Sequence, residues 1–263
     1  MAFVEVGGLR IAYVREGSGR PIVFVHGFFG DHRVWQRQLE LADEYTFVAW
    51  DAPGCGASSM PPDSFRMPDY ADLLAAFISR IDLERPHLVG NSFGGTLAFQ
   101  LASRHPEIAR SVVGIDTYAG WSGSFTPAVV AERLKASMPD LELPPAEVAA
   151  KWIPGFVTPQ ASAMIKDELR SIIGDFKPEG MRTMIRALAE ADLRDELEEL
   201  QLPTLLIWGA QDVRSPLTVA HDLETRLQGT RLVVLENAGH LAQVEAADRL
   251  NAELRSFLRS VED

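Results

Sequence analysis

The sequence has one cysteine, Cys55, in 263 residues, which excludes an internal disulfide and a thiolate metal cluster within one chain. Positive charge is also short. Lys and Arg number 25 against 37 Asp and Glu, so the net charge is −12, the wrong sign for a surface that must neutralise phosphates. Nucleic acid is therefore not an expected partner. No apolar run reaches the ~18 residues that span a bilayer, and the opening residues MAFVEVGGLR lack the basic-then-apolar pattern of a signal peptide. The expectation is a cytoplasmic chain with no membrane partner. No solenoid-period repeat and no low-complexity tract occurs either.

What is present is apolar: 46% of the residues, enough for the extended core of one α/β domain with an insertion. FVEV and RIAYV alternate apolar and polar around Gly7-Gly8, which predicts a β-hairpin. Runs at 22–25, 47–50, 87–89, 111–115, 204–208 and 232–235 have the β-branched and aromatic character of buried parallel strands. Helical periodicity at 34–42, 69–81, 95–104, 218–227 and 243–258 supplies crossovers, so the pattern predicts a doubly wound sheet. The rhythm fails over 119–202, where helical stretches are punctuated by Pro127, Pro139, Pro144, Pro154, Pro159 and Pro178. Roughly 80 residues is too long for an ordinary crossover and reads as a helical cap inserted over the sheet.

The chemistry centres on Gly90-Asn91-Ser92-Phe93-Gly94, a G-x-S-x-G after a strand and before a helix. In that setting the motif is a nucleophile elbow: a strained turn projects the serine, and side chains at the glycines would clash. A serine hydroxyl needs a base, and the base an orienting acid. His240, in Glu236-Asn237-Ala238-Gly239-His240 beyond the last strand, is the expected base. Asp212, in Trp208-Gly209-Ala210-Gln211-Asp212, is the expected acid, giving the order serine, acid, histidine. Asp116, also just past a strand, is its rival. The loop His26-Gly27-Phe28-Phe29-Gly30 follows a strand, and the backbone N–H groups of Phe28 and Phe93 are the expected oxyanion donors. His26 reads as a brace for that loop. Asp51 to Ser58 is Gly-rich, but Ser59 stands where a dinucleotide fingerprint needs its third glycine, so a structural turn is expected there with Cys55 packed beneath it.

With these pieces in view, the chain resembles the α/β-hydrolases: VHGFFG, DAPGCGAS, GNSFGG, WGAQD and NAGH occur in that family's order across essentially the whole chain. The resemblance implies an α/β-hydrolase fold, a mostly parallel eight-stranded sheet flanked by helices, with a core of 1–118 and 203–263 and the cap at 119–202. It is similar in particular to small capped esterases, to lactonases and to carbon-carbon bond hydrolases of meta-cleavage type. The last group shares an Asn before the nucleophile, matched by Asn91, but carries Trp where this chain has Leu241; the group's cap arginine would fall at Arg182 or Arg186. A serine nucleophile sets aside the dehalogenases and epoxide hydrolases of this fold, which use Asp.

The resulting expectation is a serine hydrolase of small or medium apolar carboxylic esters or lactones, needing no metal or organic cofactor and working as a monomer or homodimer on a small-molecule substrate. Phe29, Trp121, Trp152, Phe156, Val213 and Leu241 are the expected pocket. Two alternatives share the fold: carbon-carbon bond cleavage by the same triad, and a ligand receptor with residual hydrolysis.

Overall fold

In the computed structural model, which describes residues 1–262, the chain begins with the hairpin β1 (Ala2–Val6) and β2 (Leu9–Glu16). There follow β3 (Pro21–Val25), β4 (Thr46–Trp50), α1 (Met67–Arg80), β5 (His87–Asn91), α2 (Phe93–Arg104) and β6 (Ser111–Ile115). The helical stretch comes next: α3 (Trp121–Ser124), α4 (Pro127–Ser137), α5 (Pro145–Phe156), α6 (Ala163–Gly174), α7 (Pro178–Glu190) and α8 (Arg194–Glu199). The chain then returns to the sheet through β7 (Thr204–Gly209), α9 (Leu217–Arg226) and β8 (Arg231–Leu235), and closes with α10 (Ala242–Glu245) and α11 (Ala247–Glu262).

The strands form one eight-stranded sheet in the order β1-β2-β4-β3-β5-β6-β7-β8. The first two pairings are antiparallel and β4 onward is parallel. Alternation along the central strands divides the core. Val23, Val25, Val48, Trp50, Leu88, Val112, Leu206 and Trp208 face one side, while Ile22, Phe24, Phe47, Ala49, Val89, Val113, Leu205 and Ile207 face the other. Both faces are therefore dry, as expected where helices cover each side of a parallel sheet, and each of the Val, Leu, Ile and Phe side chains contributes on the order of 1.5–3 kcal/mol.

Two helical expectations change form. Residues 34–42 lie in a run of 3-10 turns, His32–Asp43, begun by Asp31, whose carboxylate accepts from the Arg33 N–H. The helix expected over 243–258 breaks at Ala246, because the Gln243 carbonyl accepts from Gln38 Nε2 at 3.0 Å and the chain restarts one residue later. Among the described residues no helix is long and apolar enough to cross a membrane.

Candidate active site

Parallel pairing brings the ends of β5, β6, β7 and β8 to one edge of the sheet, and the loops that follow them meet there. At the end of β5 the chain turns into α2 through Ser92, whose φ of 56° and ψ of −120° put an L-residue in a strained conformation. The glycines permit this turn. A Cβ on Gly90 would stand 2.2 Å from the Gly94 carbonyl oxygen, and one on Gly94 1.9 Å from that of Val25. The elbow is also pinned to β6: Ser92 N–H donates to the Ile115 carbonyl at 2.9 Å, and Thr117 Oγ1 donates to the Ser92 carbonyl at 2.6 Å.

His240 Nδ1 lies 2.7 Å from Asp212 Oδ2, and its Nε2 lies 2.9 Å from Ser92 Oγ. An ionised carboxylate only accepts, so Nδ1 carries the imidazole proton and Nε2 is left to accept from the serine hydroxyl. All three side chains are buried. The other oxygen of Asp212 accepts from the N–H groups of Arg214 (2.7 Å) and Ser215 (3.0 Å), which fixes the carboxylate plane. Asp116, the rival acid, does not touch the imidazole. Its oxygens accept from Gly209 N–H (2.8 Å) and Ala242 N–H (3.3 Å), and burial, aided by the charge of Asp212, lifts its carboxyl well above the usual range. It ties β7 to the helix that follows the histidine loop.

That loop is braced from two further sides. Asn91 Nδ2 donates to the His240 carbonyl at 3.0 Å and to that of Ile115 at 3.2 Å. Glu245 accepts from Gly239 N–H at 2.7 Å through one oxygen, and through the other from Thr158 N–H (2.9 Å) and Oγ1 (2.7 Å) just beyond α5. Leu241 N–H completes the join by donating to the Phe156 carbonyl at 3.0 Å. No spacing or motif singles out Glu245, among many acids near the C-terminus, as the residue that holds this junction.

The N–H groups of Phe28 and Phe93 have no acceptor among the described residues, and the two rings pack together at 5.9 Å. His26 supports their loop: its Nδ1 donates to the Gly27 carbonyl and its Nε2 accepts from Ala52 N–H, both at 2.9 Å, while burial lowers its pKa. Cys55 lies buried against Met184, and burial pushes its thiol well above the ordinary range, away from reactivity.

A narrow cavity of about 10 Å³ opens on Ser92 and His240, lined by Phe28, Tyr118, Trp121, Arg133, Trp152, Phe156, Leu188 and Arg214. Trp121, Trp152 and Phe156 are there as expected, and His240 stacks on Phe156 at 6.0 Å. Val213 is not: it is 70% exposed, because the turn closed by Asp212 and the Arg214 and Ser215 N–H groups sends it outward and its neighbour Arg214 inward. Phe29 and Leu241 line an adjoining void instead, with Phe29 held 4.7 Å from Trp152 and 5.2 Å from Phe176. Arg182 pairs with Glu142 and Arg186 is exposed, so neither cap arginine expected from the resemblance reaches the cavity. The arginines that do, Arg133 and Arg214, carried no motif.

One cluster has ligand types suited to a metal: Asp31, His32 and Asp51, whose ligating atoms lie within 4.8 Å of one another. Its groups already satisfy one another. Asp51 accepts from His32 N–H, from His32 Nδ1 at 2.7 Å and from Ala57 N–H, Asp31 accepts from Arg33, and the hydrogen bond to Asp51 raises the His32 pKa.

The sequence profile described as the alpha/beta hydrolase family matches residues 22–253. The chain is 33% identical to the dihydrolipoyllysine-residue acetyltransferase component of the acetoin cleaving system of Cupriavidus necator, over 97% of this chain and 68% of that protein. In structure it is similar to a thermophilic esterase from Thermogutta terrifontis, with a TM-score of 0.91 and 27% identity over the whole of both chains. It is also similar in fold to the enol-lactonase of Burkholderia xenovorans, with a TM-score of 0.89 and 22% identity over 98% of this chain and 100% of that one.

Proposed function

The chain belongs to the alpha/beta hydrolase family and is a hydrolase, and from that premise we propose that it cleaves small carboxylic esters or lactones through Ser92, His240 and Asp212 by way of an acyl-enzyme. The observation that carries this reading is the continuous hydrogen-bonded line from Asp212 Oδ2 through both nitrogens of His240 to Ser92 Oγ, with distances of 2.7 and 2.9 Å. The helices of residues 119–202 act as a cap, since α3, α4, α5 and α7 supply most of the cavity wall opposite the serine.

In the first half-reaction Ser92 Oγ bonds to the substrate carbonyl carbon as His240 Nε2 takes the hydroxyl proton, and Asp212 stabilises the imidazolium. The carbonyl oxygen becomes the oxyanion, held by the Phe28 and Phe93 N–H groups, each donor being worth ~2.7–4 kcal/mol of barrier. Collapse breaks the bond to the leaving oxygen, which receives the proton from His240. In the second half-reaction water gives its proton to Nε2, its oxygen attacks the acyl carbon, and the carboxylic acid leaves as Ser92 recovers its proton. Carbon-carbon cleavage drew on Asn91, but that side chain's amide ties down the histidine loop rather than entering the cavity lining.

Rapid mixing with p-nitrophenyl butyrate tests the reading. A burst of nitrophenolate close to one equivalent per Ser92 is expected where deacylation is slow, and Ser92→Ala is expected to fold normally and lose at least ~10³ in turnover. Full turnover by a folded Ser92→Ala protein would overturn it.

A further inference from the structure

The wall of the Ser92 cavity holds two guanidinium groups, and neither has a carboxylate partner among the described residues. Arg214 is anchored beside the acid, since its N–H donates to Asp212 Oδ1. Its guanidinium carbon lies 4.1 Å from the Trp152 ring centre and 4.5 Å from that of Phe156, the same ring on which His240 stacks. One of its terminal nitrogens makes a long contact of 3.4 Å with the Trp152 carbonyl, and Nε is buried with no acceptor. Gly155 leaves the space for this group: a Cβ there would stand 2.9 Å from two of its nitrogens. Arg133, from α4, donates to the Arg214 carbonyl at 2.6 Å and lies over Phe125 at 4.0 Å.

This arrangement is unfavourable as packing alone. Two like charges face one cavity, and burial pulls the Arg214 pKa down to about 10, with Arg133 adding to the shift. The nearby acids are already engaged: Asp212 with His240, Asp140 with Lys151 and Trp152 Nε1. In a chain with 37 acidic residues, none of the described ones lines this cavity. A half-buried cation with no carboxylate in contact is disfavoured, although the charges of Asp212 and Asp140 act on it from a distance, and a planar guanidinium with a free N–H matches a carboxylate better than any neutral group.

We infer that the substrate brings the missing anion: the cavity selects esters or lactones whose acyl part ends in a carboxylate, seated against Arg214 and Arg133 while the scissile carbonyl meets Ser92. This deepens the serine-hydrolase reading and rests on it. The carboxylate offsets one of the two positive charges on binding, and the aromatic rings around it exclude the water that would compete. Arg214 and Arg133 are thus specificity residues and take no part in bond making.

The test compares monomethyl glutarate with the neutral methyl ester in which an isopropyl group replaces the carboxylate, hydrolysis being followed by titration at constant pH. Wild type is expected to favour the charged ester in kcat/KM, and Arg214→Gln to reduce that ratio by about 30-fold, mostly through KM. Arg214→Lys, which keeps the charge and loses the fork, should retain part of the preference, and Arg133→Gln should show a smaller loss. Equal losses on both esters would make Arg214 a clamp for α5 and overturn the inference, as would a wild-type preference for the neutral ester. Thermal shift of Ser92→Ala with glutarate separates the two readings. A rise in Tm that disappears in the Ser92→Ala, Arg214→Gln double variant supports the anion site even if neither ester is turned over, a result that would sink the hydrolase reading alone. Turnover of the neutral ester with no preference and no glutarate shift would remove the anion site alone.

Discussion

On the sheet side of the cavity, Ser92 and His240 stand on short loops at strand ends, each loop's main chain tied down by hydrogen bonds from its neighbours, including the side chains of Asn91 and Glu245. On the helix side, Trp121, Arg133, Trp152, Phe156 and Leu188 come from four helices, α3, α4, α5 and α7, and meet through rings and long side chains. The first wall is fixed by the main chain and leaves little freedom of residue type. The second is fixed by side-chain packing, which many sequences could satisfy with a different shape and charge. In the proposed reading the chemistry sits on the sheet side and selection is shared between the helix side and Arg214, which the loop after β7 delivers beside Asp212.

The comparison breaks most decisively at Asp212. Asp212→Asn is expected to lower kcat by about 10⁴ through the wrong imidazole tautomer, whatever the substrate. Asp116→Asn, measured on the same esters, should cost less than about tenfold, because its carboxyl is already lifted toward the neutral form and an amide oxygen can still accept from Gly209. A reversal of that order would move the acid to β6.

Glu245 joins the two walls, since it holds Gly239 beside the histidine and Thr158 beyond α5. Glu245→Ala should let the imidazole drift and lower kcat by up to about 10² with KM little changed, a split that steady-state kinetics can resolve. On the helix side, Trp152→Phe removes the indole donor to Asp140 and opens the cavity. It is expected to shift the preferred acyl length, changing the ratio between short and longer esters by about tenfold. A uniform loss across chain lengths would instead place Trp152 with the chemistry.

The smallest effect on turnover lies at the far end of the sheet. His87, at the start of β5, is buried against Ser111 Oγ at 2.7 Å, and burial lowers its pKa to about 4 from 6.5. A depressed pKa means the unfolded chain takes up the proton first. Its contribution is therefore intact above 6.5 and lost as pH falls from 6.5 toward 4. His87→Gln should flatten the fall of Tm across that window while leaving the pH profile of kcat unaltered.

Much of the sheet could be read in advance because its signals are local. Short continuous apolar runs rich in β-branched residues mark Ile22 to Val25 and Ser111 to Ile115, and GNSFGG, WGAQD and NAGH each report a loop whose backbone admits few alternatives. The same locality explains the error at Val213. Nearness to Asp212 in sequence suggested a pocket residue, but a turn of two hydrogen bonds reverses direction within one residue and delivers Arg214 instead. Arg133 was beyond reach for another reason: its role depends on how α4 lies over the strand ends, which no spacing within PAVVAERLKA encodes. Glu245 and Asn91 act through main-chain carbonyls and amides of distant loops, and such partners leave no pattern in one sequence.

The central claim is that Ser92 is a nucleophile made reactive by His240 and Asp212. Treating the protein with a fluorophosphonate and mapping the adduct by peptide mass spectrometry tests it most directly. One modified residue is expected, Ser92, with esterase activity lost in step with labelling, slower labelling in Asp212→Asn and none in Ser92→Ala. Inactivation by a label on any other residue, or labelling of Ser92 that leaves hydrolysis intact, would contradict it.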